Sequence, residues 1–201
     1  MDSPIFSTTL QACVLSAASN LIAQGITAYQ NDAPYSVDWT PVVQFVLYTI
    51  LNSPPNFLWQ SFLESSFPAT YITPSSKAIA AAANNDEKKL DAEEVSHEIV
   101  ETKLSVRNTT IKFLLDQTVG ATVNTLLFSL VFAGFQGATT AQAVQIAKQD
   151  FWGMMYAGWK LWPAVSAINY TLITTVEGRS LVGSLAGVGW SVYLSLIAGG
   201  K

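Results

Sequence analysis

Three carboxylates stand beside long apolar runs: Glu64, Asp116 and Glu177. A carboxyl group in such surroundings is the residue type that serves as a general acid, and an acid-catalysed integral membrane enzyme is the reaction class it suggests. That chemistry needs a shielded carboxyl with a raised pKa. The sequence around each of the three reads more simply as a helix end. Metal and thiol chemistry have less to work with. His97 is the only histidine and has no cysteine or histidine partners at ligand spacing. Cys13 is the only cysteine, which excludes an internal disulfide. The sequence therefore predicts no catalytic set, no metal site, no cofactor and no enzyme.

A different pattern lies in one apolar run. Gln44, Tyr48, Asn52, Asn56 and Gln60 follow one another at intervals of four, around the pair Pro54–Pro55. On a helix this spacing keeps neighbours on one slowly drifting face. The groups either satisfy carbonyls freed by the prolines and bond between helices, or line a water-filled path. Polar residues in spanning helices commonly act as interhelical bonds, so the first reading carries more weight. Lys160 and Asn169 join Asn52, Asn56 and Gln60 as polar groups amid apolar sequence, with Asp116 and Glu177 nearer the ends. Ionisable residues there are costly, and they line water or pair with one another.

The elements that must carry these groups follow from the charge distribution. Half of the 201 residues are hydrophobic and only 12% are charged, against about 25% in an ordinary soluble domain. A soluble surface cannot be covered with so few charges. The net charge of −4 leaves no basic footprint for nucleic acid. Thirteen of the 24 charged residues lie between Lys77 and Lys112. Uncharged runs cover Ser3–Asn31, Trp39–Leu63, Gln117–Ala147, Leu161–Val176 and Ser180–Gly200. A membrane crossing takes about 20 apolar residues, and all of these runs except the one from Leu161 reach that length. The fold class is all-α: an integral membrane bundle of four to five transmembrane helices plus one interfacial amphipathic helix. Residues 1–201 form a single multispanning domain, and 69–110 form a polar loop insert that is the least ordered part.

The expected helices are Phe6–Ala28, Trp39–Leu63 kinked or divided at its double proline, a third from near Asp116 to Gly134–Gly137, and Leu181–Ile197. The chain begins Met1-Asp2-Ser3-Pro4 without a positive n-region, so the first run is expected to remain as a spanning helix. Asp86–Lys103 reads as a solvated helix, with Glu94 and Glu98 on one face. Thr139–Tyr156 mixes Ala143, Ile146, Ala147, Met154 and Met155 with Gln142, Gln145, Lys148 and Asp150, the pattern of a helix lying in the interface. Trp152, Trp159 and Trp162 suit an aromatic belt. Pro163 opens the short fourth segment, and Glu177-Gly178-Arg179 reads as a turn before the last helix. Gly183 and Gly187 form a GxxxG pair suited to close helix packing, the feature that bears on a homo-oligomer. Asn108 and Asn169 each begin a glycosylation tripeptide, the second at membrane depth.

The order of several motifs resembles that of a known family. The tail reads Trp159-Lys160-Leu161-Trp162-Pro163, then Asn169-Tyr170, Arg179, and Trp190-Ser191-Val192-Tyr193-Leu194-Ser195. Upstream stand Lys112 with Asp116-Gln117, and Pro54, Trp59, Leu63 and Pro68. This resembles the twenty-two-kilodalton peroxisomal membrane protein family, also called the Mpv-seventeen/Sym-one family, from the second helix to the end. The pattern departs at Ser166, where the family has Gln, at Thr174, where it has Pro, at Ser53 and Gln60, and at Arg179, which comes one residue late. The resemblance implies a multispanning helical protein of a peroxisomal, mitochondrial inner or vacuolar membrane. It also implies a channel or channel-like protein affecting small-solute permeability and metabolite and stress homeostasis. The packing or pore-lining candidates are then Asn52, Pro54, Asn56, Trp59, Gln60, Asp116, Gln117, Lys160, Trp162, Pro163, Asn169, Arg179, Trp190 and Tyr193. The expected partners are the lipid bilayer, a small polar solute and a second copy of the chain. The alternative is a structural or recruiting membrane protein that docks through the charged insert 77–112. Seven basic residues on the insert side, against three on the other, place the insert in the cytosol or the mitochondrial matrix.

Overall fold

A computed structural model describes residues 3–84, 86–89 and 99–199, with 193–199 described by their backbone alone. His97, Glu94 and Glu98 lie outside the described residues, as does the side chain of Tyr193.

The first helix, α1 (Pro4–Gln30), opens with proline at a position where its missing N–H is no loss. It ends at Asn31, and Asp32 takes φ 48°, a left-handed turn that aspartate tolerates. The next helix, α2 (Trp39–Ser66), is capped by Asp38, whose side chain accepts from the Thr40 N–H at 2.9 Å. Gln24 of α1 clasps that cap in both directions. Its Nε2 donates to the Asp38 carbonyl at 2.7 Å and its Oε1 accepts from the Asp38 N–H at 2.8 Å. The two helices thus form an antiparallel pair. Pro54 and Pro55 lie inside α2, which stays one helix; of the two outcomes expected at the double proline, kink or division, division does not occur.

The polar insert contains a hairpin. Strands β1 (Thr70–Pro74) and β2 (Val100–Leu104) pair antiparallel, with Thr70 opposite Leu104 and Pro74 opposite Val100. Between them, α3 (Ser76–Ala83) starts from a Ser75 cap. The expected helix over Asp86–Lys103 is therefore corrected at its end, where Val100–Lys103 is strand. The β-branched Val100 and Thr102 suit a strand, and β1 supplies a partner 30 residues earlier that a local reading could not see.

The third helical rod begins earlier than expected. It opens at Val106 in α4 (Val106–Leu115), passes through a wide π-helical turn at Asp116–Gly120, and continues as α5 (Ala121–Phe135). Ser105 caps it by accepting from the Asn108 N–H. Gly137, with φ +80°, turns the chain. A capping box between Thr139 and Gln142 then starts α6 (Thr140–Gly158). Ala143, Ala147 and Met155 of α6 are buried. Thr125 meets Met155 at 3.3 Å, and Trp159 Nε1 donates to the Gln117 carbonyl at 3.2 Å, so α6 runs antiparallel to α5. After one turn, α7 (Trp162–Leu172) carries the chain on towards α4. Its 11 residues span about 16 Å, too short to cross a ~30 Å hydrocarbon core alone. The last helix, α8 (Val176–Gly199), starts five residues before the expected Leu181. Glu177-Gly178-Arg179, expected as a turn, is its first turn, because Thr175 Oγ1 accepts the Gly178 N–H and Glu177 favours the helix N-terminus.

The resulting protein is helical apart from its one hairpin among the described residues, and its packing is inverted relative to a soluble domain. Buried positions are mostly small or polar: Ala12, Ala23, Ala133, Thr8, Ser19 and Ser129. Large apolar side chains face outward; Phe6, Leu10 and Val14, four apart on α1, are 65%, 55% and 63% exposed. Lipid accepts such a surface, and small residues let helices approach closely. Among the described residues, two helices, Pro4–Gln30 and Val106–Phe135, are long and apolar enough to cross a membrane.

Candidate functional site

The C-terminal end of α2, the α4–α5 junction, α7 and the start of α8 converge beside the root of the hairpin. Asp116 opens the π-helical turn, and its carboxylate is filled by donors. Trp59 Nε1 at 3.3 Å and Gln60 Nε2 at 3.1 Å donate to Oδ1. Gln117 Nε2 at 3.4 Å and the Ser166 hydroxyl, in a short hydrogen bond, donate to Oδ2. Gln117 Nε2 also donates to Ser166 Oγ at 2.9 Å. The Tyr170 hydroxyl donates to Gln60 Oε1 at 3.1 Å, linking α7 to α2. Gly120 makes room for this arrangement. A Cβ there would lie 3.0 Å from Trp59 Nε1 and 3.3 Å from Asp116 Oδ1.

One turn nearer the insert, Glu64 meets two cations. Its Oε2 lies 2.7 Å from Lys112 Nζ and 2.5 Å from Arg179 Nη1, and its Oε1 accepts the Ala69 N–H at 2.9 Å. Lys112 is fully buried and Arg179 is 1% exposed. Both cations lie 5.3 Å from the centroid of the Tyr170 ring, within cation–π range. Arg179 Nε also donates to the carbonyls of Asn169 and Ile173 at 3.1 and 3.0 Å, and Asn169 Nδ2 returns a bond to the Arg179 carbonyl at 3.3 Å. The C-terminus of α7 is thereby tied to the first turn of α8.

The seam between α2 and α5 continues from this centre. Asn56 and Asn124 exchange amide hydrogen bonds at 3.0 and 3.1 Å, and Asn56 also donates to the Asn52 carbonyl. Further along, Phe45, Tyr48, Phe128 and Phe132 pack ring against ring, with centroids 4.4–5.7 Å apart. One half of the seam is thus paired polar groups and the other half aromatic.

Of the sequence candidates, Asn56, Trp59, Gln60, Asp116, Gln117, Asn169 and Arg179 are brought together here. Asn52 contributes its carbonyl. Pro54 is half-buried within α2, and Pro163 is half-buried at the start of α7. Trp162 is half-buried against Gly158, Trp190 is half-buried on α8, and Lys160 is exposed in the α6–α7 turn, away from the centre. Reading the sequence for a pore or packing set passed over Glu64, Lys112, Asn124, Ser166 and Tyr170. A signal for three of them was present. Glu64 continues the interval-four series of α2, and Lys112, Asp116, Gly120 and Asn124 form a second such series on the facing rod. Among the described residues, no group of three or more histidine, cysteine or acidic side chains could hold a metal ion.

Comparison with known proteins agrees with this arrangement of motifs. The model of the Mpv17 / PMP22 family matches residues 133–195. PXMP2/4 family protein 3 of Dictyostelium discoideum is 24% identical over 195 residues, covering 97% of this chain and 84% of that protein. Protein sym1 of Schizosaccharomyces pombe is 25% identical over 207 residues, covering 96% and 84%. Peroxisomal membrane protein 2 of Bos taurus is 32% identical over 84 residues, 42% of each chain. No solved structure matches. With an outward apolar surface and relatives aligned nearly end to end, the chain is similar to proteins of the Mpv17 / PMP22 family.

Proposed function

We propose that the chain crosses an organelle membrane several times and acts as a channel-like protein for small polar solutes. The observation that carries this reading is the polar seam from Glu64 and Lys112 to Asn56 and Asn124, inside a bundle with an apolar exterior. In this reading α1, α2, α4–α5 and α8 cross, and α6 and α7 together make the fifth crossing. The helix expected to lie in the interface is then the first part of that crossing. Residues 161–176 need not span alone. The related proteins of peroxisomal name support a peroxisomal membrane, with the mitochondrial inner membrane as the alternative.

The seam's groups pair with one another, so passage requires α2 to part from α5, or copies to assemble around a shared path. Reconstitution into liposomes tests the reading. Release of a small uncharged sugar above that of empty vesicles is expected, and an Asn56→Leu/Asn124→Leu variant that folds but retains the seam's closure should release several-fold less. No release from folded protein at any protein-to-lipid ratio would overturn it. The hairpin favours a second reading, a recruiting protein, because Tyr71, Ile72 and Val100 stand exposed on it. Deleting residues 77–103 without functional loss would count against that reading.

A further inference from the structure

The ion cluster at the insert-side end is one negative charge short. Lys112 and Arg179 share a single carboxylate oxygen, Glu64 Oε2, while Oε1 accepts the Ala69 N–H. The Asp116 carboxylate is filled by Trp59, Gln60, Gln117 and Ser166 and makes no ion pair with either cation. Carbonyls at the end of α7 receive Arg179 Nε and offset part of the surplus. Arg179 Nη2 remains buried with no hydrogen-bond partner. A buried guanidinium donor without an acceptor is expensive, and so is an uncompensated buried charge. Burial is also uneven across the three groups. The cations are 0% and 1% exposed, whereas Glu64 keeps 28% of its side chain exposed. The carboxylate is thus the one member that can turn out to solvent without unpacking the helices.

We propose that Lys112 and Arg179 form a seat for a phosphate group, in which the Glu64 carboxylate stands in while no ligand is bound. A carboxylate held through one oxygen engages only Nη1. A phosphate has further oxygens, so it can take Nη1 and Nη2 together and still meet Lys112 Nζ. Glu64 turns outward as the phosphate arrives, along the side on which it is already exposed. The phosphate belongs either to a free anion or to the headgroup of an anionic phospholipid. The second source fits the position of the seat, where the bundle gives way to the polar insert. Binding at this seat does not depend on solute passage, so a protein silent in liposome flux can still bind.

The test uses the full chain in neutral detergent at constant ionic strength. Thermal unfolding is followed with increasing inorganic phosphate, for wild type, Glu64→Gln and the control Glu177→Gln. Because Glu64→Gln removes the stand-in charge, phosphate should stabilise it saturably, by about 5 °C or more beyond the control. In parallel, native mass spectrometry compares retention of phosphatidylglycerol and phosphatidylcholine by the wild type and by Arg179→Gln. A phosphate response in Glu64→Gln identifies a seat open to free anions. Selective retention of phosphatidylglycerol, lost in Arg179→Gln, identifies the headgroup. Equal phosphate responses in all three proteins, with no lipid selectivity, would overturn the proposal and leave a structural ion cluster only.

Discussion

Arg179 spends its donors in three directions, on Glu64 and on the carbonyls of Asn169 and Ile173. A lysine keeps the charge but has no planar fork to divide in this way. Arg179→Lys should therefore lower stability in detergent by about 2–4 kcal/mol, since breaking a buried pair leaves its partners unmatched. Removing the exposed Lys103–Glu101 pair by Lys103→Ala should leave it nearly unchanged, because solvent screens the pair. Thermal unfolding of both variants checks the contrast. Gly120 gives a second residue-level prediction. Gly120→Ala pushes a methyl group against the Trp59 indole and the Asp116 carboxylate and should cost about 1–3 kcal/mol. Gly134→Ala, where a Cβ meets nothing within 4 Å, should be near neutral. Tryptophan fluorescence reads the first variant directly, because Trp59 must move.

Between elements, the contact of α2 with α5 rests on the Asn56–Asn124 exchange. Asn56→Leu leaves the Asn124 amide unpaired in apolar surroundings and should destabilise by about 1–2 kcal/mol. The double replacement Asn56→Leu/Asn124→Leu should recover much of that loss, since two apolar side chains leave no orphan. A double-mutant cycle measures the coupling, and strictly additive losses would place the two amides in separate environments. At the start of α6, the Thr139–Gln142 capping box satisfies first-turn N–H groups. Thr139→Ala should cost about 1 kcal/mol and raise hydrogen exchange over Thr140–Val144 while leaving Phe151–Gly158 unchanged. The interval-four spacing made the α2 side of the seam readable. The α5 side was harder to read because the π-helical turn shifts its register between Asp116 and Asn124, and because Gly120 interrupts the polar series with a residue that offers only space.

For the molecule as a whole, orientation follows from which basic side chains remain at the surface. Two of the seven basic residues assigned to the insert side, Lys112 and Arg179, are buried in the ion cluster and cannot act as loop charges. Lys77, Lys88, Lys89, Lys103 and Arg107 are exposed on that side, so the bias persists. If the membrane is peroxisomal, as proposed, an epitope inserted near Asn84 should be cleaved by protease added to intact organelles. Protection until the membrane is opened would reverse the orientation. The low charge content and the placement of the uncharged runs made the helical membrane class readable from sequence alone, because both express how much apolar surface must avoid water. Helix ends were less readable. The expected third helix lost its first ten residues, because Ser105 as a cap and the shared length of α4 and α5 are not announced by a change in charge. The sequence by itself thus determined how much apolar surface must avoid water and that the long uncharged runs are helical. Only the tertiary structure decided that Glu64, Lys112 and Arg179, 48 and 115 residues from Glu64 along the chain, share one carboxylate oxygen. Pairing between distant helices depends on their packing register, and no local pattern of residue types encodes that.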